Sequence, residues 1–477
     1  MEHDNDNDDT KPNSKKFITF KHRESLLTQL LATDPNLRMI HDLIALFIFV
    51  FLLCKIEVFI NEPTKFWEIF DGYIRNSSDL GQVIQIWFIM KMFVLCLHYP
   101  LVLFNNFFQY RWLINNFENN NYNSDILCEM YENRQYAGCL YQIILYTMYS
   151  CISIFAILFY CTYCILVYDI KLIGSFSLLI EMTRLLMKSH SFFIEKKDLF
   201  IEKETLKNLM VNKHHTNMYR SFWALSSRAS FRKYIYYMFA PTLLYRDSYP
   251  RTKKIRWGRV LNFGLQFILF ILLAMYVYQG YLVNLTKTCT ESIELNLKLL
   301  YQIITPGIIF YWLFFYVFFH LYLNLTAELL RFGDRNFYED FWNSKSAKVY
   351  YRKWNHVVQN WLYVYVFIPV DNRFQNRILT NFAVILISAL MHEYIVSFYF
   401  RFFFPLMFIM FGISTPIVYL LEKYGLVKNL VSIKLIVTNW SILLAILIIE
   451  YNYRTSCPLS EPWKQIILPR FIHHVKI

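Results

Sequence analysis

Apolar and polar positions alternate in long blocks along the 477 residues, and nine of the apolar blocks approach or reach membrane length. They run over Leu43–Ile60, Ile84–Phe104, Gln142–Tyr168, Leu172–Met187, Val260–Val283, Leu299–Leu323, Ile378–Phe400, Phe402–Leu421 and Leu430–Ile449. A helix crosses the ~30 Å hydrocarbon layer with about 20 residues, and in lipid it satisfies its own backbone hydrogen bonds. The pattern therefore predicts an all-α fold, a polytopic membrane protein with about nine transmembrane helices. Asp169-Ile170-Lys171 is all that breaks the third block from the fourth, which predicts a hairpin turn at the membrane surface. Pro306-Gly307 predicts a kink in the sixth.

Composition removes the soluble alternatives. Hydrophobic residues make up 56% and charged residues 17%, whereas a soluble domain carries roughly 25% charged residues. A net charge of +13 would suggest nucleic acid in a soluble chain. Here the basic residues flank apolar blocks, where positive-inside placement and anionic headgroups account for them, and no nucleic-acid partner is expected. The stretch Lys188–Trp257 holds 15 Lys/Arg against 5 Asp/Glu, and the loop after the sixth block is also basic. Both are predicted to face the cytosol. Residues 1–38, opening MEHDNDNDDT, do not read as a cleavable signal and are expected to be a disordered cytoplasmic tail. Residues 39–452 then form the membrane domain, and 453–477 a tail on the lumenal side. Of four glycosylation sequons, only Asn76 is expected to be used. Most of the nine cysteines lie in apolar blocks, and CTYC (161–164) has no second pair. It reads as small buried hydrophobes, and no metal site is expected.

The seventh block carries the candidate chemistry. Asn381, Ser388, His392 and Tyr399 are seven, four and seven residues apart, so they share one helical face. Glu393 adjoins the histidine but points about 100° away. Ionisable groups inside a membrane are costly and usually functional, and histidine suits proton transfer near neutrality. The plainer alternative is a structural histidine satisfied by a neighbouring helix.

A second unusual segment, Arg331–Tyr365, is dense in charge and aromatics, including three Trp. Asn343 or Ser344 is placed to cap a helix beginning near Lys345. Along that helix Tyr351, Trp354, Asn355, Val358, Trp361 and Leu362 form one face, with Lys345, Lys348, Arg352, His356 and Gln359 largely opposite. Such a helix reads either as an interfacial amphipathic element or as the mouth through which an anionic substrate reaches a buried site. Asn355 lies in the apolar stripe, where a polar group needs a specific partner.

These residues carry a family resemblance. FYEDFWN (Phe337, Tyr338, Glu339, Asp340, Phe341, Trp342, Asn343) is similar to the FYxDWWN signature of the sterol and diacylglycerol O-acyltransferases, a branch of the membrane-bound O-acyltransferases. Phe341 replaces the first Trp of that signature and lacks its indole donor. ALMHEY (Ala389–Tyr394) resembles the family's active-site histidine motif. FAPTLLYRDSYPR (Phe239–Arg251), MKSHSF (Met187–Phe192), YYRKWN (Tyr350–Asn355) and CPL (Cys457–Leu459) resemble the sterol branch. The likeness covers roughly residues 140–460. Gln359 stands where sterol enzymes tend to have a second histidine, so His392 would act as the sole imidazole. No cysteine follows Cys457, so the family's disulfide within the tail cannot form, and Cys289 is the other candidate partner.

The resemblance implies a membrane-bound O-acyltransferase bundle in the endoplasmic reticulum membrane, working as a homodimer or homotetramer. Acyl-CoA is the implied co-substrate and a sterol or other lipid alcohol the acceptor, drawn from membrane lipid. No cofactor is implied. His392 would be the base and Asn355 the oxyanion donor. Ser388, Trp354, Arg352, Tyr351 and Glu393 would bind acyl-CoA or orient the imidazole. Sterol esters for storage are the expected product. A diacylglycerol or fatty-alcohol acyltransferase is the alternative enzyme, and a lipid transporter a more distant one.

Overall fold

In the computed structural model, residues 18–61, 79–120, 139–197, 230–277, 297–344, 346–403 and 405–414 are described, together with 293–294, 417–418, 420–421, 424–426, 440, 447 and 475–476. Among the described residues the regular structure is helical apart from two short parallel strands, β1 (Ile293–Glu294) and β2 (Val475–Lys476), and isolated bridges. In the first half the helices are α1 (Leu26–Thr33), α2 (Pro35–Asn61), α3 (Leu80–Trp112), α4 (Leu140–Val167), α5 (Leu172–Lys196) and α6 (Phe231–Phe239). There follow α7 (Trp257–Val277), α8 (Ile304–Leu329), α9 (Ala347–Trp354), α10 (His356–Leu362), α11 (Ile368–Phe374), α12 (Arg377–Phe400) and α13 (Leu406–Ile409). Among the described residues, five helices (α3, α4, α7, α8 and α12) are long and apolar enough to cross a membrane. Helices α2, α5 and α13 fall on the first, fourth and eighth predicted blocks; the ninth lies almost wholly outside the described residues.

Polar contacts sort the loops onto two ends of the bundle. At one end the strand-like backbone of Arg23 bonds Gly333 and Arg335, at 2.9 and 3.0 Å. Arg23 also pairs with Asp334 at 2.6 Å. Beside it Arg256 joins Glu24 at 2.5 Å and Glu328 at 2.6 Å, and Glu328 also meets Arg335 at 2.6 Å. Glu328 and Arg335 are buried, so each charge depends on the other and on these additional donors to offset lost hydration. At the opposite end, Arg401 pairs with Asp169 and bonds the Ile170 carbonyl at 2.8 Å, while the Lys171 amide donates to Asp79 at 2.8 Å. Loops predicted to be cytosolic thus meet one another at one end, and the Asp169–Lys171 hairpin meets Asp79 and Arg401 at the other. Asp169, in the left-handed region at φ 50°, makes the expected hairpin turn.

Three expectations change. Residues 18–38 are not a disordered tail, because they hold α1, the start of α2 and the Arg23 and Glu24 contacts. The fourth block does not end at Met187, since α5 continues to Lys196 and buries Lys188. The amphipathic helix expected from Lys345 is two helices broken at Asn355, and Ser346, rather than Asn343 or Ser344, caps the first, accepting from the Val349 amide at 3.3 Å. Lys345 itself lies outside the described residues.

Candidate active site

Helix α12 runs antiparallel to α5, with Phe176 near the start of α5 meeting Tyr399 near the end of α12 (ring centroids 5.6 Å apart). The polar stripe of α12 faces inward. Asn381, Ser388, His392 and Tyr399 all line one cavity of about 2300 Å³, as do Tyr351, Trp354 and Asn355 from the α9–α10 segment. Pockets for drug-sized ligands measure roughly 300–1,000 Å³, so this cavity is larger than one such ligand requires.

The imidazole of His392 has a defined tautomer. Nδ1 lies 2.7 Å from the Ser388 carbonyl oxygen, which only accepts, so Nδ1 carries the proton. Nε2 is left with its lone pair. The Ser388 hydroxyl is further from Nδ1, at 3.5 Å. Aromatic rings from beyond the next helix break wall the imidazole, Phe411 at 5.1 Å and Trp440 at 6.5 Å. Sequence reasoning missed both, because nothing local to either residue marks it as a neighbour of His392.

Glu393 turns away from the cavity, as its 100° offset requires. It is 3% exposed, and Oε2 accepts from the Met407 amide at 2.8 Å. Its carboxylate therefore caps the start of the chain segment that presents Phe411, and it does not line the cavity.

Asn355 has found the partner its position demanded. Its Oδ1 accepts from the Val358 amide at 3.1 Å, which starts α10 and breaks the longer helix. With the carbonyl end used in the cap, the amide Nδ2 is the end that remains to donate. Trp354 donates from Nε1 to the Tyr311 hydroxyl at 2.7 Å, and that hydroxyl also bonds Tyr350. Arg352 and Lys348 line the cavity and are exposed, so they form its charged rim.

The FYEDFWN segment lies behind this wall, and none of Phe337–Asn343 lines the cavity. Phe337, Tyr338 and Phe341 are buried, and Tyr338 Oη lies 2.7 Å from His320 Nδ1. Asp340 pairs with Lys353 at 2.7 Å, tying the segment to α9. Trp342 packs against Phe341 at 5.0 Å, and Asn343 closes a single turn through its amide to the Asp340 carbonyl. Phe341 is enclosed by rings of Phe315 (4.7 Å), Tyr350 (5.7 Å) and Trp312 (5.9 Å), so its site is an aromatic box.

His392 is not the sole imidazole on the cavity. His190 of α5 lines it too, with Nδ1 3.2 Å from the Tyr149 hydroxyl. His356 does not; it meets Glu339 at 3.4 Å and Asn336 at 2.9 Å, and burial holds it below the usual histidine range. Sequence reasoning also missed a group of charges on α5. Glu181 pairs with Arg184 and with Lys91 of α3, each at 2.7 Å, and Lys188 follows one turn further on. Among the described residues no cluster of His, Cys, Asp or Glu is built to hold a metal.

Comparison with known proteins agrees with this architecture. Residues 120–444 match MBOAT, the membrane-bound O-acyltransferase family. The chain is 29% identical to sterol O-acyltransferase 1 of Rattus norvegicus over 452 residues, covering 93% of this chain and 76% of the relative. It is 34% identical to sterol O-acyltransferase 2 of the same organism over 305 residues, 61% of this chain and 54% of the relative. Sterol O-acyltransferase 2 of Mus musculus is 36% identical over 241 residues, 49% of this chain and 42% of the relative.

Proposed function

Because the chain belongs to the membrane-bound O-acyltransferase family and is a multi-pass acyltransferase, we propose that in the endoplasmic reticulum membrane it moves a long-chain acyl group from acyl-CoA to the hydroxyl of a sterol, yielding a sterol ester for storage. The observation that carries the reading is His392, an imidazole with its proton held on Nδ1 and a free Nε2, on a cavity larger than one drug-sized ligand requires.

The acceptor hydroxyl gives its proton to Nε2 as its oxygen attacks the thioester carbonyl carbon. The Ser388 carbonyl, holding Nδ1–H, stabilises the imidazolium that forms. The Asn355 amide donates to the developing oxyanion. When the intermediate collapses the carbon–sulfur bond breaks, and the imidazolium returns its proton to the leaving sulfur, so CoA departs as the thiol. Arg352 and Lys348 at the rim attract the CoA phosphates, with Tyr351 and Trp354 flanking the thioester arm. Burial in the bundle keeps water from hydrolysing the thioester. The same machinery serves diacylglycerol or a fatty alcohol, and the sterol reading is supported by the names of the relatives and the RDSYPR run. Assembly as a homodimer or homotetramer belongs to the same proposal.

The test uses membranes from cells without sterol esterification of their own, given labelled oleoyl-CoA and a sterol, diacylglycerol or fatty alcohol. His392→Ala is expected to lose about 10²–10⁴-fold in rate, the usual worth of a positioned base. Equal rates in wild type and mutant would overturn the mechanism, and product from diacylglycerol alone would overturn the acceptor.

A further inference from the structure

Two sequence motifs, MKSHSF and FAPTLLYRDSYPR, lie far apart in the chain and interlock in space. Lys188 of the first is 1% exposed. Its Nζ donates to the carbonyls of Tyr237 (2.5 Å), Ala240 (2.6 Å) and Met238 (3.2 Å). An ammonium has three N–H donors, and here each has a carbonyl. Those carbonyls are the last of α6 and the first of the turn after it, where a helix leaves acceptors unpaired and presents its negative end. Arg184 adds a bond to the Met238 carbonyl at 2.6 Å. The Leu243 carbonyl is held by the hydroxyls of Ser191 (2.5 Å) and Tyr237 (2.7 Å).

The turn so held is part of the cavity wall, since Ala240, Pro241, Thr242 and Leu243 all line it. Ala240 belongs to the apolar cluster of Tyr311 and Tyr350, against which Trp354 packs. The wall thus shares its apolar cluster with Tyr350 and Trp354, neighbours in sequence of the charged lining residue Arg352.

We propose that Lys188 is a positioning residue for acyl-CoA, fixing the Ala240–Leu243 turn as the wall against which the thioester arm passes to His392. The inference rests on the acyl-CoA reading above. Lys188 touches no substrate; it acts through the backbone it holds. A lysine serving stability alone would change the amount of folded protein and leave substrate affinity in the survivors untouched.

The experiment measures KM for oleoyl-CoA, KM for the sterol and kcat per folded protein, with folded protein quantified by size exclusion in detergent. The variants are Lys188→Met, which keeps the length and removes the donors, and Ser191→Ala, which removes one bond to the same wall. Lys188→Met is expected to raise KM for oleoyl-CoA about tenfold, as bonds to a charged donor are lost, with the sterol KM and kcat moving far less. Ser191→Ala moves the same parameter in the same direction, by a few-fold. Unchanged oleoyl-CoA KM in the variants, or a rise confined to the sterol KM, overturns the proposal. Should Lys188→Met yield no folded protein, Ser191→Ala decides by the same criterion. A wild type that transfers nothing from oleoyl-CoA overturns the acyl-CoA reading and this inference with it, whereas an active wild type with unmoved variants overturns this inference alone.

Discussion

Asn355 gives a way to separate structure from catalysis within one side chain. Its Oδ1 caps α10 through the Val358 amide at 3.1 Å, and its Nδ2 is the proposed oxyanion donor. Serine caps a helix about as well as asparagine, so Asn355→Ser keeps an acceptor for Val358 while removing the amide donor. Its stability cost is expected to be near zero, against about 0.5–2 kcal/mol for Asn355→Ala, which removes the cap as well. Losing an oxyanion donor costs about 10²–10³ in kcat, roughly 2.7–4 kcal/mol of transition-state stabilisation. Both variants are therefore expected to lose kcat alike and to differ in thermal midpoint. Asn355→Asp is expected to keep the cap and lose at least as much rate, because it sets an anion against a developing anion. The assay pairs kcat for oleoyl transfer with thermal unfolding in one detergent preparation. If Asn355→Ser kept more than about a third of wild-type kcat, the amide would be contributing well under 1 kcal/mol, and the donor role would be refuted.

Other perturbations follow from the same geometry. The hydrogen bond from Arg401, then that from Lys171, holds the Asp169 carboxyl below its usual range despite some burial. Its stabilisation is present above the unfolded carboxylate pKa of ~3.9 and is lost as pH falls through the lower folded value. Asp169→Asn should thus lower the thermal midpoint at pH 7, with a gap to wild type that closes on strong acidification; a gap constant with pH would contradict the pairing. Phe341→Trp, which restores the family's signature residue, adds ring volume to a closed aromatic box. It is expected to destabilise by about 1–3 kcal/mol, and a rise in thermal midpoint would show spare room. Glu393→Gln keeps an acceptor for the Met407 amide, while Glu393→Leu strands a buried N–H at a cost of about 1–3 kcal/mol. Activity should survive the first and fall with the second; equal loss in both would point to the carboxylate charge itself.

Much of the frame is legible along the chain. The first eight apolar blocks, the hairpin at Asp169–Lys171 and the stripe of Asn381, Ser388, His392 and Tyr399 rest on local periodicity, and each has a counterpart among the described residues. The FYEDFWN segment signals the family without disclosing where it sits, because buried aromatic scaffold and cavity lining are built from the same residue types. The α9–α10 break is half legible. The stripe that reaches the cavity can be read from spacing, but a cap at Asn355 and a continuing helix use the same residues.

Long-range partners leave no such trace. Lys188 closes an apolar run, and a lysine there reads as the first residue of a basic loop whether it reaches the surface or caps another helix 49–52 residues further along. Glu393 beside His392 reads as a partner until its bond to Met407 is seen. Phe411 and Trp440 meet the imidazole only because the chain folds back after Phe400. Residue order along the chain is enough to show which segments are apolar, which face of α12 is polar and which imidazole that face carries, since hydrophobicity and helical period act residue by residue. Tertiary structure alone decided what that face meets, which tautomer the imidazole holds and which buried charges build the wall, since those depend on atoms brought together from distant parts of the chain.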